Sequence, residues 1–296
     1  MPTVQNKIGI YFAYWEREWN ADYCHYIRKA KRLGFDTLEL GAGALTEMRP
    51  EELKKIAETA QENGIDLSYC IGLPAAYDVA SADETVRQAG IAYMKRLLDC
   101  IHVLGGDMIG GIIYGSWPSV TDSYESKMLA REKSVRSMKE ISKKAEDLGI
   151  TCCLEIVNRF EQYLLNTAEE GVAFAEEVGS PYVKLLLDAF HMNIEEDSFS
   201  EAIRIAGDKI GHFHIGECNR KTPGRGRMPW PEILGALREI RYTGRIVMEP
   251  FIKMGGQVGR DIKIYHDLSG GCGEQEMDAM AQEALLLIRR GGTGRG

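Results

Sequence analysis

Four residues with metal-binding or acid–base chemistry stand at the ends of four successive apolar runs. Glu155 lies in "ITCCLEIVN" (from Ile150), Asp188 closes "YVKLLLD" (from Tyr182), His214 lies in "KIGHFHIGE" (from Lys209) and Glu249 in "GRIVMEPF" (from Gly244). The intervals of 33, 26 and 35 residues are each about one strand plus one helix. A carboxylate inside an apolar strand costs several kcal/mol unless a cation or hydrogen bonds hold it. Carboxylate, carboxylate, imidazole and carboxylate brought to one point are the donor set of a divalent-metal site. Three oxygens and one nitrogen suit one Mn²⁺, Co²⁺ or Mg²⁺ ion, and the lack of a cysteine among them argues against a structural zinc. Any one of these residues alone would read as a cap or a loop ligand; their recurrence over consecutive units carries the inference. His212, two residues before His214, reads as core filler in preference to a support for the ligands.

A second set of polar residues follows at short range. Glu161 comes six residues after Glu155, His191 three after Asp188 and Arg220 six after His214, each in a strand-to-helix loop where substrate contacts are made. Aromatic residues fall near the same strand ends: Tyr11, Tyr14 and Trp15 after the first strand, Tyr114 and Trp117 after the fourth. A sugar offers apolar C–H faces to such rings and hydroxyls to the charged set.

These residues need a scaffold that delivers consecutive strand ends to one place. Eight β-rich runs alternate with helical patterns such as "ADYCHYIRKAKRLG", "RPEELKKIAETAQENG" and "REKSVRSMKEISKKAEDLG", each with apolar residues at three-and-four spacing and a closing glycine. The first four strands read as "KIGIYFAY", "FDTLELG", "IDLSYCIGL" and "GDMIGGIIY". Their near-continuous apolar character is that of parallel strands covered by helices. No Gly-rich dinucleotide fingerprint follows the first strand. The expectation is a single-domain α/β (β/α)8 TIM barrel over residues 1–290, with its catalytic face at the carboxyl ends of the strands, and a flexible tail over 291–296.

Composition narrows the function further. A net charge of −8 argues against nucleic acid or an anionic membrane surface as a partner. No run approaches the roughly 18 apolar residues of a membrane span, and the start lacks the pattern of a secretory signal, which leads to the expectation of a cytoplasmic protein. The seven cysteines show no CxxC pair and read as small core residues.

The stretches "GIYFAYWEREW", "EIVNRFEQYLLNT", "LLDAFHMNIEE", "GHFHIGECNRKTPGRGRMPW" and "VMEPFIKMGGQVG" together resemble the ketose 3-epimerases, the D-tagatose and D-allulose (D-psicose) 3-epimerase family within the xylose-isomerase-like barrels. The resemblance runs in order over nearly the whole chain, and "DAFHMNIEE" with "GHFHIGECNR" is its most specific part. It implies Glu155, Asp188, His214 and Glu249 as ligands of one ion, Mn²⁺ first and Co²⁺ or Mg²⁺ as alternatives. It also implies Glu161, His191 and Arg220 as contacts to O1–O3 of a free ketohexose, with Tyr11 and Trp117 lining the pocket. Glu155 and Glu249 would then exchange the C3 proton through a cis-enediolate, in a homodimer or homotetramer. Another sugar isomerase, an inosose dehydratase and a non-catalytic sugar-binding barrel are the rival expectations. An abasic-site endonuclease is disfavoured by six histidines and an acidic chain.

Overall fold

Helix ends in this chain are marked by residues that satisfy the backbone groups a helix leaves open. Asp22, Ser123, Thr167 and Ser198 each accept a hydrogen bond from a first-turn N–H of the helix that follows. Gly34 and Gly64 stop the first two helices in the left-handed region, at φ 90° and 59°.

In the computed structural model, which describes residues 4–293, these units build a closed barrel. Its strands are β1 (Ile8–Tyr11), β2 (Thr37–Gly41), β3 (Asp66–Leu73), β4 (Met108–Ser116), β5 (Thr151–Ile156), β6 (Val183–Asp188), β7 (Ile210–Ile215) and β8 (Ile246–Met248). All pair in parallel in chain order, and β1 closes on β8 with Ile8 opposite Ile246. Among the described residues there are ten α-helices: α1 (Tyr23–Leu33), α2 (Pro50–Asn63), α3 (Glu84–Val103), α4 (Tyr124–Leu148), α5 (Ala168–Val178), α6 (Ala189–Glu195), α7 (Phe199–Ala206), α8 (Trp230–Glu239), α9 (Gly256–Asp261) and α10 (Glu274–Arg289). The (β/α)8 fold is the expected one. Two helices exceed the expected eight: α6 directly after β6 and α9 after β8, both short and both at the catalytic mouth.

Local register decides where the site residues point. Leu185 pairs with Ile210 but Leu186 pairs with His212, so Gly211 is the extra residue of a β-bulge. A Cβ there would lie 2.7 Å from Cys153 Sγ. The bulge aligns Asp188 with His214; because side chains alternate along a strand, the alignment puts both on one face. Strand β8 is shorter than its apolar run, since Pro250 has no N–H to give to a ladder, and Glu249 N–H ends the pairing on Ile215 O at 2.9 Å.

At the opposite end of the barrel, Arg245 pairs with Asp66 at 2.6 Å and Asp107 at 2.9 Å, fastening the starts of β8, β3 and β4. None of the described helices is long and apolar enough to cross a membrane. All seven cysteines are free, four of them buried. Of the expected tail, residues 294–296 lie outside the described residues; Gly292 N–H donates to Leu287 O at 3.0 Å.

Candidate active site

Strands β5, β6 and β7 and the end of β8 deliver Glu155, Asp188, His214 and Glu249 to one buried point, with a ligand atom of each within 4.8 Å of the others. Asp188 is fixed by its other oxygen: Oδ1 accepts the Phe190 N–H at 2.9 Å and caps α6. That leaves Oδ2 aimed inward, buried and without a hydrogen-bond partner, as is His214 Nδ1. His214 Nδ1 lies 3.6 Å from Glu249 Oε1 and 3.8 Å from Glu155 Oε1. Burial pushes the Glu249 carboxyl well above the usual carboxylate range; Glu155 and Asp188 add to this, and His214 and Arg220 do not offset it. Three crowded carboxylates and two orphaned inward atoms fit a divalent cation.

Behind His214 stands Glu39 of β2, fully buried and not anticipated from the sequence. Its Oε1 lies 2.7 Å from His214 Nε2, a close ionic contact rather than an aligned hydrogen bond, and its Oε2 lies 2.8 Å from His212 Nε2. Burial opposes ionisation of Glu39, yet His214 and His212 outweigh it and hold the carboxyl far below its ordinary range. Burial likewise opposes a charge on His214, but Glu39, Glu249 and Glu155 raise it well above the usual imidazole value. His212, lowered chiefly by burial, is hydrogen-bonded to Glu39 and is therefore a support for this array, not the filler expected. Glu39 thus fixes Nε2 and leaves Nδ1 toward the centre, the arrangement that orients a metal-binding imidazole.

The second polar set converges on the same point. His191 Nδ1 accepts from Asn158 N–H at 3.2 Å and faces Asn158 Nδ2 at 2.8 Å, which assigns the ring proton to Nε2. That nitrogen lies 3.6 Å from Asp188 Oδ2 and 3.9 Å from Glu155 Oε1. Glu161 accepts from Trp117 Nε1 and Asn158 Nδ2, both at 3.0 Å. Burial works against its charge, but His191, Arg220 and these donors lower the carboxyl below its usual value. Arg220 is buried, with Nη1 3.4 Å from Glu249 Oε2 and 3.5 Å from Asp188 Oδ2, and Nη2 3.5 Å from Glu161 Oε1. Its guanidinium lies over the Phe190 ring at 3.6 Å.

A cavity of about 490 Å³ opens from this cluster to the barrel mouth. Tyr11 and Trp117 line it as expected, together with Glu155, Glu161, His191, Arg220 and Glu249. Tyr14, Trp15 and Tyr114 do not. Tyr14 donates to Met277 O, Trp15 to Asp278 and Tyr114 to Glu155 O, so all three are packing residues. Their places are taken by Trp19, Phe251 and Cys70. Trp19 is held by its indole N–H on Asp261 at 2.8 Å. Trp117 can reach Glu161 because Gly72 has no side chain: a Cβ there would lie 2.8 Å from Trp117 Cε3.

The site therefore combines a cradle for one cation, two carboxylates facing a closed-ended cavity, and a mixed polar and aromatic wall. The family model of the xylose isomerase-like TIM barrel matches residues 27–267. The chain is 48% identical over 283 residues to a D-psicose 3-epimerase of Agrobacterium fabrum, covering 96% of this chain and 98% of that protein. It is 35% identical to an L-ribulose 3-epimerase of a Methylomonas species, over 80% of this chain and 82% of that one. Among solved structures, a D-psicose 3-epimerase determined in the presence of D-fructose superposes with a TM-score of 0.94 at 47% identity, covering 97% of this chain and 100% of that one.

Proposed function

The chain belongs to the ketose 3-epimerases of the xylose isomerase-like TIM-barrel family, and on that premise we propose that it inverts C3 of free ketohexoses with the help of one divalent cation. D-Fructose and D-allulose are the pair we assign first, with D-tagatose as a related substrate. The carrying observation is that Glu155 and Glu249, from β5 and from the end of β8, face one cavity beside one cluster of candidate ligands.

Glu155, Asp188, His214 and Glu249 would hold the ion, Mn²⁺ or else Co²⁺ or Mg²⁺, which when bound supplies Lewis-acid polarisation of the ketose oxygens. One of the two glutamates removes the C3 proton; the electron pair enters the C2–C3 bond and charge moves to O2, giving a cis-enediolate. The other glutamate delivers a proton to the opposite face of C3, and the roles exchange in the reverse direction. His191 presents Nε2–H and Arg220 its guanidinium to the oxygen that becomes negative. Glu161, kept ionised, orients the O1 hydroxyl.

The rest of the cavity favours an unphosphorylated sugar. Among the lining side chains Arg220 is the one permanent cation, and Glu161, Asp188 and Glu249 already surround it. Tyr11, Trp19, Trp117 and Phe251 offer ring surface to the C–H faces of the sugar. The proposal includes a homodimer or homotetramer in the cytoplasm; exposed Tyr124, Met128, Leu129 and Phe160 offer apolar surface for self-association.

The test is product analysis with metal-stripped protein given D-fructose, D-allulose or D-tagatose, with and without Mn²⁺. Formation of the C3 epimer only with the ion supports the reading. An aldose or a dehydrated product, or epimer formation at the full rate without metal, contradicts it.

A further inference from the structure

The segment 216–229 between β7 and α8 contains a buried carboxylate that takes no part in the chemistry above. Glu217 is 1% exposed and does not line the cavity. Its oxygens accept three N–H donors: Gly224 N at 2.7 Å and Trp230 Nε1 at 2.8 Å on Oε1, and Met228 N at 3.0 Å on Oε2. No cation is paired with it among the described residues. A buried carboxylate that engages only donors of its own loop and of the next helix gathers that loop into one shape.

The shape matters because of what the same turn carries. Glu217 N–H donates to Lys221 O at 3.0 Å and Arg220 N–H donates to Glu217 O at 2.8 Å, closing a tight turn around Arg220. Arg220 sits there at φ 61°, a left-handed conformation that non-glycine residues seldom hold unless their surroundings impose it. Its carbonyl accepts the Phe251 N–H at 2.9 Å, so the turn is pinned to the end of β8 next to Glu249. From this backbone the guanidinium reaches Glu161, Asp188 and Glu249 at once. Gly226 completes the packing, since a Cβ there would lie 2.3 Å from Glu217 Oε2.

We propose that Glu217 is a positioning residue for Arg220: its three hydrogen bonds hold the turn that aims the guanidinium at the substrate oxygens. The inference rests on the reading of Arg220 as a substrate contact. Loss of Glu217 would act through Arg220 on turnover, in addition to any effect on stability.

A double-mutant cycle separates the two. E217Q keeps the volume but turns an amide NH₂ toward N–H donors. E217Q, R220A and the double variant are compared in kcat/KM, read as deuterium exchange at C3 in D₂O so that slow enzymes still register, with thermal midpoints recorded in parallel. E217Q is expected to lower kcat/KM by about tenfold or more, as for one unsatisfied buried polar group, and to change it less than about twofold when Arg220 is already absent, as for two groups acting as one unit. Thermal midpoints should fall by the same amount in both backgrounds. Where E217Q does not fold, W230F removes one donor and keeps the ring, and it enters the same cycle with the same expected loss of effect. An equal fold-loss in both backgrounds, or an unimpaired E217Q, overturns the proposal while leaving the function intact. R220A at the wild-type rate overturns the reading of Arg220 and the proposal with it.

Discussion

Glu39 Oε1 meets His214 Nε2 at 2.7 Å in the closed interior of the barrel, and the other oxygen of the same carboxylate holds His212. The contact turns Nδ1 of His214 toward the three carboxylates and keeps the opposite nitrogen occupied. E39Q is expected to weaken Mn²⁺ binding about 10- to 100-fold, the usual effect of removing an outer partner of a metal-binding histidine. Calorimetric titration of metal-stripped protein measures it. Affinity within about twofold of wild type would separate Glu39 from the metal, since a working partner costs far more.

Gly72 and Trp117 make a second testable pair. A methyl at position 72 would stand 2.8 Å from Trp117 Cε3, too close for the indole to stay where it donates to Glu161. G72A should raise KM for the ketose and lower the thermal midpoint, as overpacking costs about 1–3 kcal/mol. W117F should raise KM with little change in the midpoint, because it removes the N–H donor and keeps an aromatic ring. Steady-state kinetics beside thermal melts checks both, and an unchanged KM in both variants would contradict a role for this wall in holding substrate.

The quartet of candidate metal ligands was legible because each member interrupts an apolar run at a strand end, and the βα spacing brings successive strand ends together. Glu39 interrupts "TLELG" in the same way, but its partner His212 lies 173 residues away, and only the closure of the barrel joins them. The bulge at Gly211 was equally hidden, since one extra residue in a strand leaves the hydrophobic pattern almost unchanged. Aromatic residues were the weakest part of the reading. Spacing placed Tyr14, Trp15 and Tyr114 near the mouth, but which way a ring turns depends on partners such as Met277, Asp278 and the Glu155 carbonyl. Helices α6 and α9 are too short for an amphipathic period to show.

The ion cluster at the foot of the barrel gives a pH-dependent stability. Burial would raise Asp66, but Arg245 and then Lys7 outweigh it and lower its carboxyl below the ordinary value. A lowered folded value means that the contribution is present above the unfolded Asp value of about 3.9 and is lost as pH falls through the folded value. D66N should therefore lower the thermal midpoint at neutral pH, and the gap to wild type should narrow below about pH 4 as the native carboxyl is protonated. Melts across that range check this, and a gap that stays constant or widens toward acid would contradict the linkage.

The central claim is that two opposed glutamates move the C3 proton, and the most direct measurement is NMR of a ketohexose turned over in D₂O by Mn²⁺-loaded wild type, E155Q and E249Q. The account predicts deuterium at C3 of the epimer formed by wild type, and a loss of exchange and turnover in each variant of about 10²–10⁴-fold, the typical contribution of one positioned acid or base. Epimer formed without deuterium at C3, or either variant retaining more than about a tenth of the wild-type rate, would contradict the two-glutamate mechanism.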